Sequence, residues 1–430
     1  MARITSLFTL LTVLLWALGL WISPPAYNAR GWSHEIFYLN GVLAWGCMAL
    51  ALIIAARPAW IERLTGTPLD RLYVHHRRLG WAALVLSFVH YFTKTLFGPL
   101  IALFNLPRPG RFAAGEPADL FAQIWQQLRP IAVTSSEWLT WAMALICVLC
   151  VVRALRYSRW LSLHKLLSVI FLGLTLHAVR LMETADFMTP FGWLNLLITA
   201  AGAWASVELL LRGAGRDSAS QGTLTDVSHK DGVTLLTVDC GRTQKVKPGQ
   251  FVFFSTDREP PHPFSVVRTE GSRLTLAVKA LGDYTSESIP GLRPGCPIRI
   301  EGPWGHFRPV LDDRRQTWIA AGIGIAPFMA WLDEAANKPH GNITLCWCIR
   351  DRDSEALLPD VRSRAEHAGV TLKLFESRRN GRASPEMLLE DNPERVAVCG
   401  STPLTAALRK AWRGRPCDFA TEVFSWRHRS

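Results

Sequence analysis

The sequence lacks a cysteine framework. Its nine Cys are scattered along 430 residues, so no disulfide scaffold is expected, and the soluble part suits a reducing compartment. Cys346 and Cys348 alternate on an expected strand; read as facing opposite ways, they make a poor metal site. A basic tract interleaved with aromatics is also missing, so the formal charge of +12 gives no reason to expect nucleic acid. Much of that excess falls in short loops between apolar runs, where positive charge sets membrane topology. Long apolar runs are themselves missing beyond about residue 210, which leaves the second half as soluble domains. The chain is nevertheless 49% apolar and long enough for two or three domains.

The apolar residues are concentrated in six stretches: 4–22, 36–56, 74–97, 137–153, 160–183 and 190–211. Each is long enough, or nearly so, to span a bilayer as a helix. The first, with Arg3 before it and SPPA after it, could imitate a signal peptide, but its apolar part exceeds a usual h-region, so an uncleaved anchor is expected. Eighteen Trp, many near the ends of these stretches, fit an interfacial aromatic belt. The loop after the second stretch holds Arg57, Arg63, Arg71, Arg77 and Arg78, and the loop after the fourth holds Arg153, Arg156 and Arg159. The alternate loops are sparser or mixed in sign, including a long 98–136 segment with Glu116 and Asp119. Positive charge on the inside then puts both termini in the cytoplasm.

Two of the six stretches carry paired histidines. In RLYVHHRRLGWAALVLSFVHYF, His76 and His90 stand fourteen positions apart, about 21 Å along a helix at ~1.5 Å per residue. LSLHKLLSVIFLGLTLHAVRL repeats the device with His164 and His177. Ionisable groups inside membrane spans are costly and usually functional, and imidazole is a common axial ligand of haem iron. The two stretches run in the same direction, so His76 meets His164 at the inner face and His90 meets His177 at the outer face, gripping two stacked haems. Thirteen positions put His164 and His177 roughly 140° apart on an ideal helix, which a bend or side-chain reach must absorb. His75 is expected at the membrane interface.

After a polar stretch, RGAGRDSASQG at 212–222, the period changes. GTLTDVSHK, VTLLTVDC, QFVFFST, FSVVRT, LTLAVKA and PIRIEG read as short strands broken by Gly, Pro and Asp turns, hence an antiparallel β-barrel over 223–311. From Thr317 the pattern reads strand, Gly-rich turn, helix, with ITLCWCIR, VTLKLFES and RVAVCGS as later strands: a doubly wound α/β domain over 312–430. The fold class is therefore a multi-domain membrane protein, with a six-helix all-α bundle over 1–211, then the barrel and the α/β domain.

Three motifs follow one another in the barrel: HPFSVV, LAVKALGDYTSESI and EGPWGHF. Together they resemble the flavin-binding half of the ferredoxin–NADP reductase superfamily. The resemblance implies that His262, Pro263, Phe264 and Ser265 hold FAD, with Phe264 against the isoalloxazine and Ser265 bonding near its reactive nitrogen. His262 stands where soluble members have a phosphate-binding Arg. Val278, Lys279 and Thr285 match the second flavin contact, with Lys279 keeping a charge for the pyrophosphate but losing bidentate geometry.

In the last domain, Gly322-Ile323-Gly324-Ile325-Ala326-Pro327 lies between strand and helix, where glycines let a phosphate approach the backbone. It departs from GxGxxG but is similar to the nicotinamide motif of the same superfamily, which implicates Gly322, Gly324 and Pro327. Cys399 and Gly400 match the family's Cys-Gly at a strand end, where the thiol abuts the nicotinamide. Arg350 and Arg378 follow strands where the family reads the adenine ribose, and two arginines favour NADPH over NADH. Phe424, in EVFSWR, resembles the C-terminal aromatic that covers the flavin, with Trp426 as its competitor.

The whole chain thus resembles the transmembrane NADPH oxidases and ferric reductases, in a compact bacterial form, with no calcium-binding or activator segment. The resemblance implies residence in a bacterial inner membrane. It also implies FAD, two b-type haems and NADPH as cofactors, and electron flow from cytosolic NADPH to an outer acceptor. That acceptor is oxygen, giving superoxide; a ferric or cupric chelate; or a periplasmic protein docking on the 98–136 segment. Lys94, one turn beyond His90, would hold a haem propionate, attract superoxide or act as a snorkelling anchor; Arg180, past His177, has the same readings.

Overall fold

In the computed structural model the described residues are 2–24, 29–103, 119–151, 157–182, 186–242, 245–256, 259–352, 355–415 and 418–422. The chain divides into two compact units, Met1–Thr67 with Leu72–Arg216, and Pro68–Arg71 with Asp217–Ser430.

The first unit is all helical: α1 (Ala2–Ile22), α2 (Ala29–Ala56), the short α3 (Ile61–Thr65), α4 (Leu69–Leu103), α5 (Leu120–Val151), α6 (Tyr157–Arg180) and α7 (Pro190–Val207). Among the described residues, five stretches are long and apolar enough to cross a membrane: Thr5–Ile22, His34–Ala56, Gln123–Cys150, Arg159–Arg180 and Pro190–Arg212. The histidine-bearing α4 is longer than any of them at 35 residues, but its arginines and Lys94 dilute its apolar character. The core packs side chains from α2, α4, α5, α6 and α7, including Val42, Ala49, Leu84, Met143, Phe171 and Phe191. Trp45 stacks on Phe171 with ring centres 3.8 Å apart, and its indole N–H donates to Thr199 Oγ1 at 2.8 Å. Gly202 permits this, because a Cβ there would come 2.1 Å from the Phe171 ring.

The expected 98–136 loop is largely helix instead. α4 runs on to Leu103 and α5 begins at Leu120, with 104–118 outside the described residues. The polar QIWQQLRP stretch hides this helix, and Pro130 lies inside it. Proline removes one backbone donor and ordinarily kinks a helix. The helix nevertheless continues through it, and α6 bonds carbonyls on both sides of it: Arg180 Nε donates to Trp125 O at 2.5 Å, and His177 Nδ1 to Ala132 O at 3.3 Å.

The second unit begins with strands β1 (Ala219–Lys230), β2 (Val233–Asp239), β3 (Phe251–Ser255), β4 (His262–Glu270), β5 (Arg273–Lys279) and β6 (Pro297–Trp304). They close an antiparallel barrel in the order β1-β2-β5-β4-β3-β6, as their alternating apolar positions demand. Leu224, Leu236, Val252, Phe254, Leu276 and Ile300 fill it. The polar linker is shorter than its composition suggests, because Ala219–Thr223 pairs with Pro297–Glu301 and belongs to the barrel wall.

Five parallel strands follow: β7 (Gln316–Ala321), β8 (Ile343–Ile349), β9 (Thr371–Glu376), β10 (Arg395–Cys399) and β11 (Asp418–Glu422), in the order β11-β10-β7-β8-β9. Between them run α8 (Ala326–Ala335), α9 (Leu358–His367), the short α10 (Ser377–Asn380) and α11 (Pro385–Leu388), and α12 (Thr402–Ala411). This is the expected doubly wound domain, with β11 as an addition. Cys346 and Cys348 are corrected here. Two apart on β8, they share one face and pack in one cluster, because side chains on a strand repeat every second residue.

Candidate functional site

The four histidines of the membrane unit meet in the two expected pairs. His76 and His164 have ring centres 5.8 Å apart with planes at 70°, and His90 and His177 stand 6.2 Å apart at 84°. A direct N–H···N hydrogen bond of about 2.9 Å would bring ring centres to roughly 5 Å. Two imidazoles facing one metal ion across bonds of about 2 Å have centres roughly 6 Å apart, and both observed separations match this better. Among the described residues no group of three or more His, Cys, Asp or Glu could hold a bare metal ion. A pair with one ligand on each side is the donor set of a haem iron.

The outer ring nitrogens are already occupied. His76 Nδ1 bonds Ala51 O at 2.9 Å, His177 Nδ1 bonds Ala132 O at 3.3 Å, and His164 Nδ1 meets Cys150 Sγ at 3.4 Å. Metal-binding histidines usually anchor the far nitrogen in this way, which turns the other toward the metal. Space is provided too. Gly80, one turn from His76 on the same face, has no atom within 4 Å of where a Cβ would stand. Gly41 lies against the other pair, where a Cβ would come 3.2 Å from the His90 ring. The residues therefore fit two haems. His75 is only 5% exposed, so it packs against protein. Arg180, 7% exposed, bonds Trp125 O and lies over the Trp125 ring at 5.1 Å, so it braces α5 against α6. The side chain of Lys94 lies outside the described residues.

In the barrel, β4 presents His262, Pro263, Phe264 and Ser265 opposite Phe254, Phe253, Val252 and Phe251 of β3. His262 stacks flat on Tyr284, ring centres 3.8 Å apart and planes within 5°. Burial lowers its pKa from 6.5 to about 4, so at neutral pH it offers no cation to a phosphate. Phe264 is half-buried and Ser265 is 7% exposed. Val278 points into the barrel core at 2% exposure, leaving only its backbone for a ligand. Lys279 Nζ lies 3.5 Å from Glu355 Oε2, and the Thr285 hydroxyl accepts from the Leu281 and Gly282 amides at 2.9 Å each. Both are therefore already engaged by protein groups. The aromatic platform, the strand hydroxyl and the turn at 281–285 suit a flavin.

In the α/β domain the Gly322–Ile325 turn links β7 to α8. Gly322 has φ +53°, and its carbonyl accepts from the Trp347 indole at 3.0 Å. Gly324 crosses the end of β10 so closely that a Cβ would fall 2.2 Å from Cys399 O. Pro327 lies in the first turn of α8, where its missing N–H is harmless. Cys399 is 1% exposed; burial, then the nearby Glu422 carboxylate, push its thiol well up. Gly400 packs at the same strand end, with Ala321 Cβ 3.0 Å from where its own Cβ would be. Arg350 and Arg378 come together beyond β8 and β9, the Arg378 amide donating to Arg350 O at 3.1 Å. The Arg378 guanidinium binds Asp351 at 3.0 Å.

Sequence reasoning missed Glu422. It stands opposite Cys399 in the β10–β11 register, is 3% exposed, and burial raises its carboxyl well above the ordinary range. The available signal was its place next to the aromatic EVFSWR segment, which drew attention to Phe424 alone. Phe424 and Trp426 both lie outside the described residues.

Residues 40–175 match the family described as Ferric reductase like transmembrane component. The 3-ketosteroid-9-alpha-monooxygenase ferredoxin reductase component of Mycolicibacterium smegmatis is 32% identical over 118 residues, 26% of this chain and 33% of its own. The carnitine monooxygenase reductase subunit of Acinetobacter baumannii is 29% identical over 116 residues, 26% and 35% respectively. The electron transfer subunit of dihydroorotate dehydrogenase B from Caldanaerobacter subterraneus is 28% identical over 88 residues, 20% and 35%. The chain thus spans about a third of the length of each relative.

Proposed function

We propose, from a chain that joins a ferric reductase-like transmembrane component to a ferredoxin reductase-type module, that it is a transmembrane NADPH oxidase. It would move electrons from cytosolic NADPH to oxygen at the outer face, giving superoxide. The observation that carries this is the pairing of four histidines at two levels of one helical bundle. FAD would take a hydride and release electrons singly, and haem carries one at a time, which is why both would be needed between nicotinamide and oxygen.

The chain's own residues divide the work. The Gly322–Ile325 turn and the start of α8 would receive the nicotinamide phosphates. Arg350 and Arg378 would bind a 2′-phosphate, favouring NADPH. Cys399, neutral because it is buried, would border the nicotinamide without repelling the incoming hydride, and Glu422 would keep a proton nearby. Phe264 and Ser265 would orient the flavin, with Phe424 or Trp426 covering it. His76 and His164 would hold the inner haem and His90 and His177 the outer one, leaving no open iron site, so acceptor reduction would proceed without direct ligation. Lys94 would sit at the outer end. α4 would be the sixth span, with both termini cytoplasmic and the bundle in a bacterial inner membrane.

A second reading, in which a ferric chelate takes the electrons, is favoured by the family that residues 40–175 match. The test is NADPH turnover in air by the purified full chain, with cytochrome c as reporter. Reduction abolished by superoxide dismutase supports the oxidase. Dismutase-insensitive reduction, with faster turnover on ferric citrate, moves the assignment to the reductase.

A further inference from the structure

The three ring nitrogens described above do not share one kind of partner. His76 and His177 bond main-chain carbonyls, and His164 meets the thiol of Cys150 at 3.4 Å. Cys150 lies in the last turn of α5, and His164 in the second turn of α6. The opposite side of the pairing is also specific: Trp160 stacks on the His164 ring, centres 5.0 Å apart and planes within 10°. An indole on its face and a sulfur on its edge fix the ring's plane and its rotation together.

We propose that Cys150 is a positioning residue that holds the reduction potential of the inner haem above the value an oxygen acceptor at His164 would set; this rests on the bis-histidine reading. If His164 binds iron through Nε2, its proton sits on Nδ1 and is donated to sulfur. A thiol sulfur is a weak acceptor, whereas a carbonyl oxygen is a strong one. A strong acceptor on the far nitrogen makes an imidazole a more basic ligand and favours ferric iron, which lowers the potential. Hydrogen bonding to the axial ligand is one of the levers a protein has over haem. His76 pulls the inner iron in that direction through Ala51, and the sulfur at His164 relaxes the pull on the other side. Alone among these three contacts, it is made by a side chain, so a substitution can change it.

The experiment is a spectroelectrochemical titration of the haem-loaded full chain, comparing wild type with Cys150→Ser and Cys150→Ala. In serine a hydroxyl oxygen replaces sulfur as a stronger acceptor; in alanine the acceptor is gone. The expected result is that one of two b-haem transitions moves and the other stays. It moves down in the serine variant, by up to a tenfold change in the reduced-to-oxidised ratio at fixed potential, about 59 mV for one electron. It moves up in the alanine variant. Loss of one haem in alanine that serine restores also supports the contact. Unchanged transitions, transitions that move together, shifts of the same sign in both variants, or haem lost from both variants overturn it. A wild-type chain with no b-type transitions overturns the haem reading itself, which the titration reports separately.

Discussion

His262 shows how a single residue can keep its place in a motif and lose the expected chemistry. By resemblance it is expected at the position of a phosphate-binding arginine; in the fold it is clamped flat against Tyr284 and held neutral. Its folded pKa lies near 4, below its ordinary 6.5, so the unfolded chain binds more protons between these values. Stability is then fully present above about 6.5 and falls as pH drops toward 4, by at most about 3 kcal/mol for this one group. Replacing His262 by Phe keeps a ring on Tyr284 and removes the titration. Calorimetry of the detergent-solubilised chain at pH 7 and pH 4.5 is expected to show a smaller acid-induced drop in Tm for His262→Phe than for wild type. Equal drops would show that the histidine stays neutral in both states, or charges in both. The residue type was legible in the sequence, but its charge state was set by burial, which no motif encodes.

Among the elements, the turn before α8 is the most tightly specified. Gly324 passes the carbonyl of Cys399 with no room for a Cβ, so the Gly322–Ile325 turn and the end of β10 are locked together. Gly324→Ala must push backbone against backbone, at about 1–3 kcal/mol for overpacking. We expect its KM for NADPH to rise at least tenfold while haem content per chain stays at the wild-type level; unchanged steady-state kinetics would show that the turn can shift freely. The strand–turn–helix pattern and most strand boundaries were legible because apolar periodicity dictates them. α5 was harder to read: Gln126, Gln127, Arg129 and Pro130 mask its helical signal, and carbonyl acceptors for Arg180 and His177 are visible only once α6 lies beside it.

For the molecule as a whole, the question is whether the two units work in series. If they do, breaking the inner histidine pair should separate flavin chemistry from acceptor chemistry. In stopped-flow mixing with NADPH, His76→Ala is expected to bleach flavin absorbance at the wild-type rate. Reduction of the outer haem should slow at least a hundredfold, and haem content should fall from two per chain to one. An outer haem that is reduced at the wild-type rate would mean that electrons bypass His76.

The sequence alone settled most kinds of element and their order, the helical start of α5 excepted. Apolar length marks out membrane helices, a period of two marks strands, and glycines between strand and helix mark the nucleotide turn; each signal is local, so neighbours along the chain suffice. It also pointed to which histidine rings stand near each other, because two parallel helices with similar spacing leave one sensible match. Only the tertiary structure decided what each of those groups experiences. Neutral His262, buried Glu422 beside Cys399, Lys279 joined to Glu355, and His164 on a sulfur rather than a carbonyl all depend on residues distant in sequence. Charge state and hydrogen-bond partner are properties of a surrounding volume, and packing alone determines what fills that volume.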